Sequence, residues 1–272
     1  MSAAHAASAR RSTSKICCLG LINLAKVLIK YGKTGPLKYL SHLELIRALE
    51  RALRRAGIDV ARSGGFTPRP KISHGPALSV GVASCAEYML AELVSIVEPD
   101  ELITRISSAL PEGLTIYKAK YIADSQPSII SIVQSAAYRV TVSSSVDETA
   151  VRLAVDRVLS EDRLLVKHKG KEKWVDTKEA ILEWRVTRTD SKEYQFFLLL
   201  SVGNAQSIRP EAAVNKLAEA LQGVDASTCE FTGTLDITDI CRMEQYANRG
   251  NPLLDIYNFY ESVKTGSERT NS

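Results

Sequence analysis

Cysteine is scarce and poorly placed for bridging. The 272 residues hold five cysteines, Cys17, Cys18, Cys85, Cys229 and Cys241, an odd number with no CxxC spacing. That argues against a disulfide framework and offers no ligand set for zinc or an iron–sulfur cluster. No glycine run has the P-loop or dinucleotide fingerprint, no histidine pair has metal-ligand spacing, and no GxSxG elbow is present. The expectation is therefore a non-catalytic chain with no metal and no cofactor.

Long apolar runs are missing too. The apolar stretch at residues 16–25 follows Arg10 and Arg11 as an export signal would, but it contains Asn23, is too short to span a bilayer, and meets Lys26 with no small-x-small cleavage site. Residues 1–25 read as a disordered extension, and the protein as cytoplasmic with no membrane partner.

What is present is globular. Hydrophobic residues make up 45% and charged residues 24% of the chain, enough for about two domains each with its own core. Residues 26–33 alternate polar and apolar, the period of a half-buried strand. Ser41 and Glu44 form an S-x-x-E capping box that opens a helix over 41–56, and Gly57 ends it. Extended stretches are expected at 77–82 and 87–94, a helix at 99–110 and a strand at 114–122. The order β-α-β-β-α-β is the ferredoxin-like plan. After a connection at 125–135 the pattern repeats, with strands at 138–142, 164–168, 180–187, 194–202 and 229–240 and helices at 147–159 and 210–221. The fold class is α+β, two tandem ferredoxin-like (βαββαβ) domains over 26–124 and 136–246, followed by a polar C-terminal tail at 247–272 that is interrupted by the apolar patch Leu253–Phe259.

Charge is concentrated rather than abundant. Between Lys26 and Lys71 stand eleven basic residues against Glu44, Glu50 and Asp59, a local charge of +8 where the whole chain carries +4. At 100° per residue, Arg47, Arg51, Arg54 and Arg55 fall within one arc of about 100° on the first helix, opposite its apolar stripe. Such segregation suits phosphates. The loop that follows adds Arg62, Arg69, Lys71 and His74 among glycines, and Lys38 and His42 flank the helix start. Phe66 either stacks on an unpaired base or, with Ile72, tucks the loop onto the core, and for Phe66 the core is the favoured reading. Further along, Arg209-Pro210-Glu211 opens a helix whose N-terminus offers an anion site, and 167–171 reads as a basic hairpin turn.

The segment 35–88 resembles a known pattern. It runs through Ser41-His42-Leu43-Glu44, the arginine-rich helix and Gly65-Phe66-Thr67-Pro68-Arg69-Pro70-Lys71. This is similar to the start of a bacterial domain family of unknown function linked to radical-SAM proteins. The second half agrees in outline through Asp176 and Ser207-Ile208-Arg209-Pro210-Glu211. The resemblance implies a cobalamin-binding radical-SAM protein as partner, and because the chain has no CxxxCxxC motif, that chemistry would belong to the partner. Three readings follow: an accessory protein binding RNA through Lys38, His42, Arg47, Arg51, Arg54, Arg55, Arg62, Phe66, Arg69, Lys71, His74 and Arg209; a docking subunit without RNA affinity; and a metal-independent ribonuclease using His42 and His74.

Overall fold

The computed structural model describes residues 25–168, 170–222 and 234–267, and of these not the side chains of 168, 261 and 263–267. The expected extension at 1–24 and residues 229–233 of the expected last strand lie outside them.

The alternation at 26–33 does make a strand, β1 (Ala25–Lys33), but one buried on both sides. Val27, Ile29 and Tyr31 face one core and Leu28 another. After a 3-10 turn (Gly35–Tyr39), helix α1 (His42–Arg55) carries the expected capping box. Ser41 Oγ accepts from the Glu44 N–H, and the Glu44 carboxylate accepts from the Ser41 N–H at 2.9 Å. Gly57 follows at φ +65°, a left-handed position that suits glycine. Leu45, Leu49 and Leu53 of α1 pack over β1 and over β3 (Ala83–Leu93), beside α2 (Pro99–Ala109) and β4 (Leu114–Ile122).

The second strand is displaced from its expected place. Strand β2 is Ile72–His74, inside the basic loop, while 77–82 runs as a loop. Leu78 and Val82 of that loop are buried in the core of the other half. Their apolar character serves packing between halves, which sequence periodicity cannot distinguish from strand burial.

The second half comprises β5 (Ser135–Ser143), α4 (Glu148–Ser160), β6 (Arg163–His168), β7 (Lys171–Asp176), α5 (Thr177–Ala180), β8 (Ile181–Asp190), β9 (Glu193–Ser201), α6 (Pro210–Gln222) and β10 (Asp236–Tyr246). Strands β6 and β7 form a separate hairpin. This half therefore has one hairpin more than the expected βαββαβ order. The remaining strands join one sheet in the order β4-β1-β3-β10-β5-β9-β8, with β2 also on β3. Every pairing is antiparallel except a short parallel contact of Cys241 and Arg242 (β10) with Ala83 and Ser84 (β3). The fold is α+β with a mixed sheet. One edge of β3 takes β2 at residues 89–91 and β10 at residues 83–84, so the halves lie side by side.

A buried charge cluster holds this seam. Arg242 Nη1 donates to Glu87 at 2.9 Å and to the Pro76 carbonyl at 3.2 Å, and Nε donates to the Tyr138 hydroxyl at 3.3 Å. Lys33 lies near both charges, its ammonium donating to the Lys38 carbonyl at 3.2 Å. Lys33, Glu87 and Arg242 are 1%, 5% and 3% exposed. Burial lowers the Lys33 pKa and, with Glu87 nearby, raises that of the Tyr31 hydroxyl.

The polar tail is corrected as well. Residues 256–267 form α7 (Ile256–Ser267), which with the short helix α3 (Ile129–Ile132) covers the second face of β1 and β3. Ile256 and Tyr260 are buried there, and the Tyr260 hydroxyl donates to the Pro127 carbonyl at 2.7 Å. The sequence shows an apolar patch at 253–259 within that tail, and in the structure Ile256 and Tyr260 share one buried helical face.

Two stability outcomes follow. Glu87→Leu leaves Lys33 and Arg242 without their carboxylate and is expected to cost about 3–5 kcal/mol, with part recovered in Glu87→Leu/Arg242→Leu; denaturant midpoints check both. Tyr260→Ala is expected to lose about 3–5 kcal/mol by the same measurement, whereas a loose tail would show no change.

Candidate nucleic-acid interface

Helix α1 presents the expected arginine face. Leu45, Ala48, Leu49, Ala52 and Leu53 are buried, which forces Arg47, Arg51, Arg54 and Arg55 outward, and all four are exposed. Their roles then divide. Arg55 Nη2 donates to the Ala109 carbonyl at the end of α2, tying the two helices together. Arg47, Arg51 and Arg54 make no ion pair among the described residues. The nearby Glu44 is occupied by the capping box, and its hydrogen bonds to Ser41, aided by Arg47, lower its pKa.

The following loop lies beside this face. Arg54 and Arg62 line one hollow of about 290 Å³ together with Glu50, Asp59 and Pro70. Arg62 Nη1 donates to the Pro68 carbonyl at 3.3 Å, and neither Arg62 nor Arg69 has an ion pair among the described residues. Phe66 has a relative exposure of 110% at the loop tip. The reading that it tucks onto the core is thus overturned for Phe66, while Ile72, six residues on, packs there as expected. Nothing in the spacing of the loop distinguishes the two apolar residues.

Other expected contacts are engaged within the protein. Lys71 pairs with Glu92 at 2.6 Å and Lys38 with Asp239 at 3.1 Å. Arg209 is exposed at the start of α6, remote in sequence from α1, and lines a cleft with Arg242. Sequence reasoning gave no weight to Leu43 and Val80, which with Tyr39 are exposed near the start of α1. Gly81 brings Val80 close to Tyr39: a Cβ on it would lie 3.9 Å from the ring.

His42 and His74 do meet, with ring centroids 6.0 Å apart and edge to face. Neither nitrogen of His74 has a partner among the described residues, and both are closed to solvent. Burial, reinforced by His42, pushes its pKa down to about 4. His74 is therefore neutral near pH 7 and out of reach of a phosphodiester. The side chain of His168 lies outside the described ones. Among the described residues no group of three or more His, Cys, Asp or Glu side chains could hold a metal, and no helix is long and apolar enough to cross a membrane.

No curated protein matches the chain. Among solved structures, a Cbf5-Nop10-Gar1 complex is similar at 8% identity and TM-score 0.44, over 90% of this chain and 57% of that one. An H/ACA RNP bound to a substrate RNA containing 2'-deoxyuridine gives 8% and 0.43, over 90% and 56%. The small subunit of acetolactate synthase from Thermotoga maritima gives 9% and 0.23, over 82% and 94%. This chain thus spans little more than half of the first two, and at these scores the likenesses carry no functional argument. The family model for "Uncharacterized protein conserved in bacteria (DUF2344)" matches residues 26–210, the span that holds α1, the basic loop and the start of α6, and the chain belongs to that family.

Proposed function

We propose that this protein is a non-catalytic RNA-binding accessory subunit whose contact surface is the outer face of α1 with the loop 62–71. The observation that carries this reading is the set Arg47, Arg51, Arg54 and Arg69, exposed and without ion pairs among the described residues, beside the fully exposed Phe66. Guanidinium groups match phosphate oxygens through paired hydrogen bonds, and an exposed ring supplies a platform for an unpaired base. The strand orders β4-β1-β3-β2 and β10-β5-β9-β8 support reading each half as a ferredoxin-like unit, the second with an inserted hairpin. The radical-SAM partner rests on the sequence resemblance alone. A docking role without RNA affinity is the second reading, favoured by the exposed Tyr39, Leu43 and Val80.

Binding to single-stranded RNA is expected to weaken with salt, at a log–log slope of about −2 to −3 if three or four phosphates are neutralised. Arg51→Glu/Arg54→Glu should abolish that binding while the protein stays folded. Phe66→Ala should weaken it by about fivefold or more without moving the melting temperature. Fluorescence anisotropy across a salt series measures all three, and wild-type protein that binds no RNA at any salt would leave the docking role.

Cleavage by His42 and His74 gains no support from a His74 closed to solvent. Its depressed pKa has a stability consequence. The unfolded chain takes up the proton first, near the ordinary histidine value of about 6.5, so stability is full above that pH and falls as pH drops towards 4. His74→Leu is expected to flatten this slope, by an amount on the order of 2–3 kcal/mol, in denaturant melts between pH 7 and 4.

A further inference from the structure

A cleft of about 340 Å³ lies between the loop 76–82 of the first half and the start of α6 in the second. That volume is at the low end of the roughly 300–1,000 Å³ of small-molecule sites. Two of its lining residues are arginines, Arg209 and Arg242, and none is acidic. Tyr138 and three serines add hydroxyl-bearing side chains, while Leu78 and Val82 give it an apolar side.

Arg242 is the unusual element. Its guanidinium is 3% exposed and held by Glu87, the Pro76 carbonyl and the Tyr138 hydroxyl through Nη1 and Nε. No hydrogen bond among the described residues engages Nη2, so a rigidly positioned cation at the cleft keeps a donor in hand. Behind the pair the charges do not cancel: Lys33 and Arg242 are buried with one carboxylate, Glu87. Uncompensated buried charge is costly, and an anion beside Arg242 would remove the excess. A second, independent feature points to the same charge. Arg209 caps α6, a 13-residue helix, its carbonyl accepting from the Ala212 and Ala213 N–H groups, and it has no ion pair among the described residues. The positive end of the α6 dipole and Arg209 thus border the cleft, while Glu211 of the first turn lines the neighbouring hollow, which Arg209 borders as well.

We propose that this seam cleft binds a phosphate monoester, a mononucleotide or the 5′-terminal phosphate of an RNA, between Arg242 and Arg209. A dianion matches two guanidinium groups, and the apolar side receives the organic part. The site is separate from the α1 face and does not depend on it.

Isothermal titration with adenosine 5′-monophosphate and with adenosine tests this. The monophosphate is expected to bind at least tenfold more tightly than adenosine, and Arg209→Ala, an exposed position that leaves the core intact, to weaken it by about tenfold. Tyr138→Phe serves as the second, volume-conserving variant and is expected to weaken it too. Arg51→Glu/Arg54→Glu should leave the monophosphate affinity unchanged, which separates this proposal from the RNA surface on α1. Competition by a 5′-phosphorylated oligoribonucleotide but not its 5′-hydroxyl form identifies an RNA end as the ligand, and competition by neither identifies a free nucleotide. Equal affinity for monophosphate and nucleoside, or an unchanged Arg209→Ala, would overturn it.

Discussion

The contact of Arg242 with Glu87 is the buried charge pair between the two halves, and Glu244 and Gln245 of the same strand add hydrogen bonds to Tyr88 and to the Ala86 carbonyl. It joins β10 to β3 where the sheet has only a two-residue parallel pairing. So short a ladder gives little register by itself. The guanidinium helps to set it, because Glu87, the Pro76 carbonyl and the Tyr138 hydroxyl are all met from one position. The pair is also expensive to leave half made, since either charge alone would be stranded in the core. The loop 76–82 is drawn into the same arrangement, with Leu78 and Val82 in the second core. Specific placement of that loop is what gives the seam cleft its walls.

Electrostatics elsewhere works by subtraction. Eleven basic residues between Lys26 and Lys71 suggest one broad positive surface, but folding brings acids from distant parts of the chain to several of them. Glu244 meets Lys30, Asp239 meets Lys38, and Glu92 meets Lys71, while Lys33 is buried and Arg55 is bound to α2. With Lys26 donating to the Asp124 carbonyl, away from α1, the positive surface that remains is narrower than the sequence suggests: Arg47, Arg51, Arg54, Arg62 and Arg69. Exposed ion pairs contribute little stability, so these pairings matter more for what they neutralise than for what they hold. Solvent-facing arginines without ion pairs among the described residues, next to an exposed phenylalanine, are the form in which the protein presents its charge.

Local signals were legible in the sequence and distant ones were not. The capping box at Ser41 and Glu44, Gly57 after α1, and Pro99 opening α2 each act within a turn of chain, and each stands where the sequence places it. The outward arginine stripe was equally legible, since helical periodicity alone decides it. Strand β2 was misplaced because Leu78 and Val82 are apolar for the sake of the other half. Phe66 was misread because the sequence offers it and Ile72 alike to the core, and only Ile72 is taken. Helix α7 escaped notice because Ile256 and Tyr260 gain their meaning only from β1 and β3, more than 160 residues earlier. The ion pairs that trim the basic segment are separated by up to 214 residues and had no sequence signature.

The most direct test of the central claim is to map where RNA touches the protein. Photocrosslinking of the purified chain to a 4-thiouridine oligoribonucleotide at low salt, with the adducts located by mass spectrometry, provides that map. Adducts concentrated in residues 47–71, with Phe66 among them and lost on raising the salt, are the predicted result. Adducts elsewhere and none in 47–71 would contradict an RNA-binding role for the face of α1.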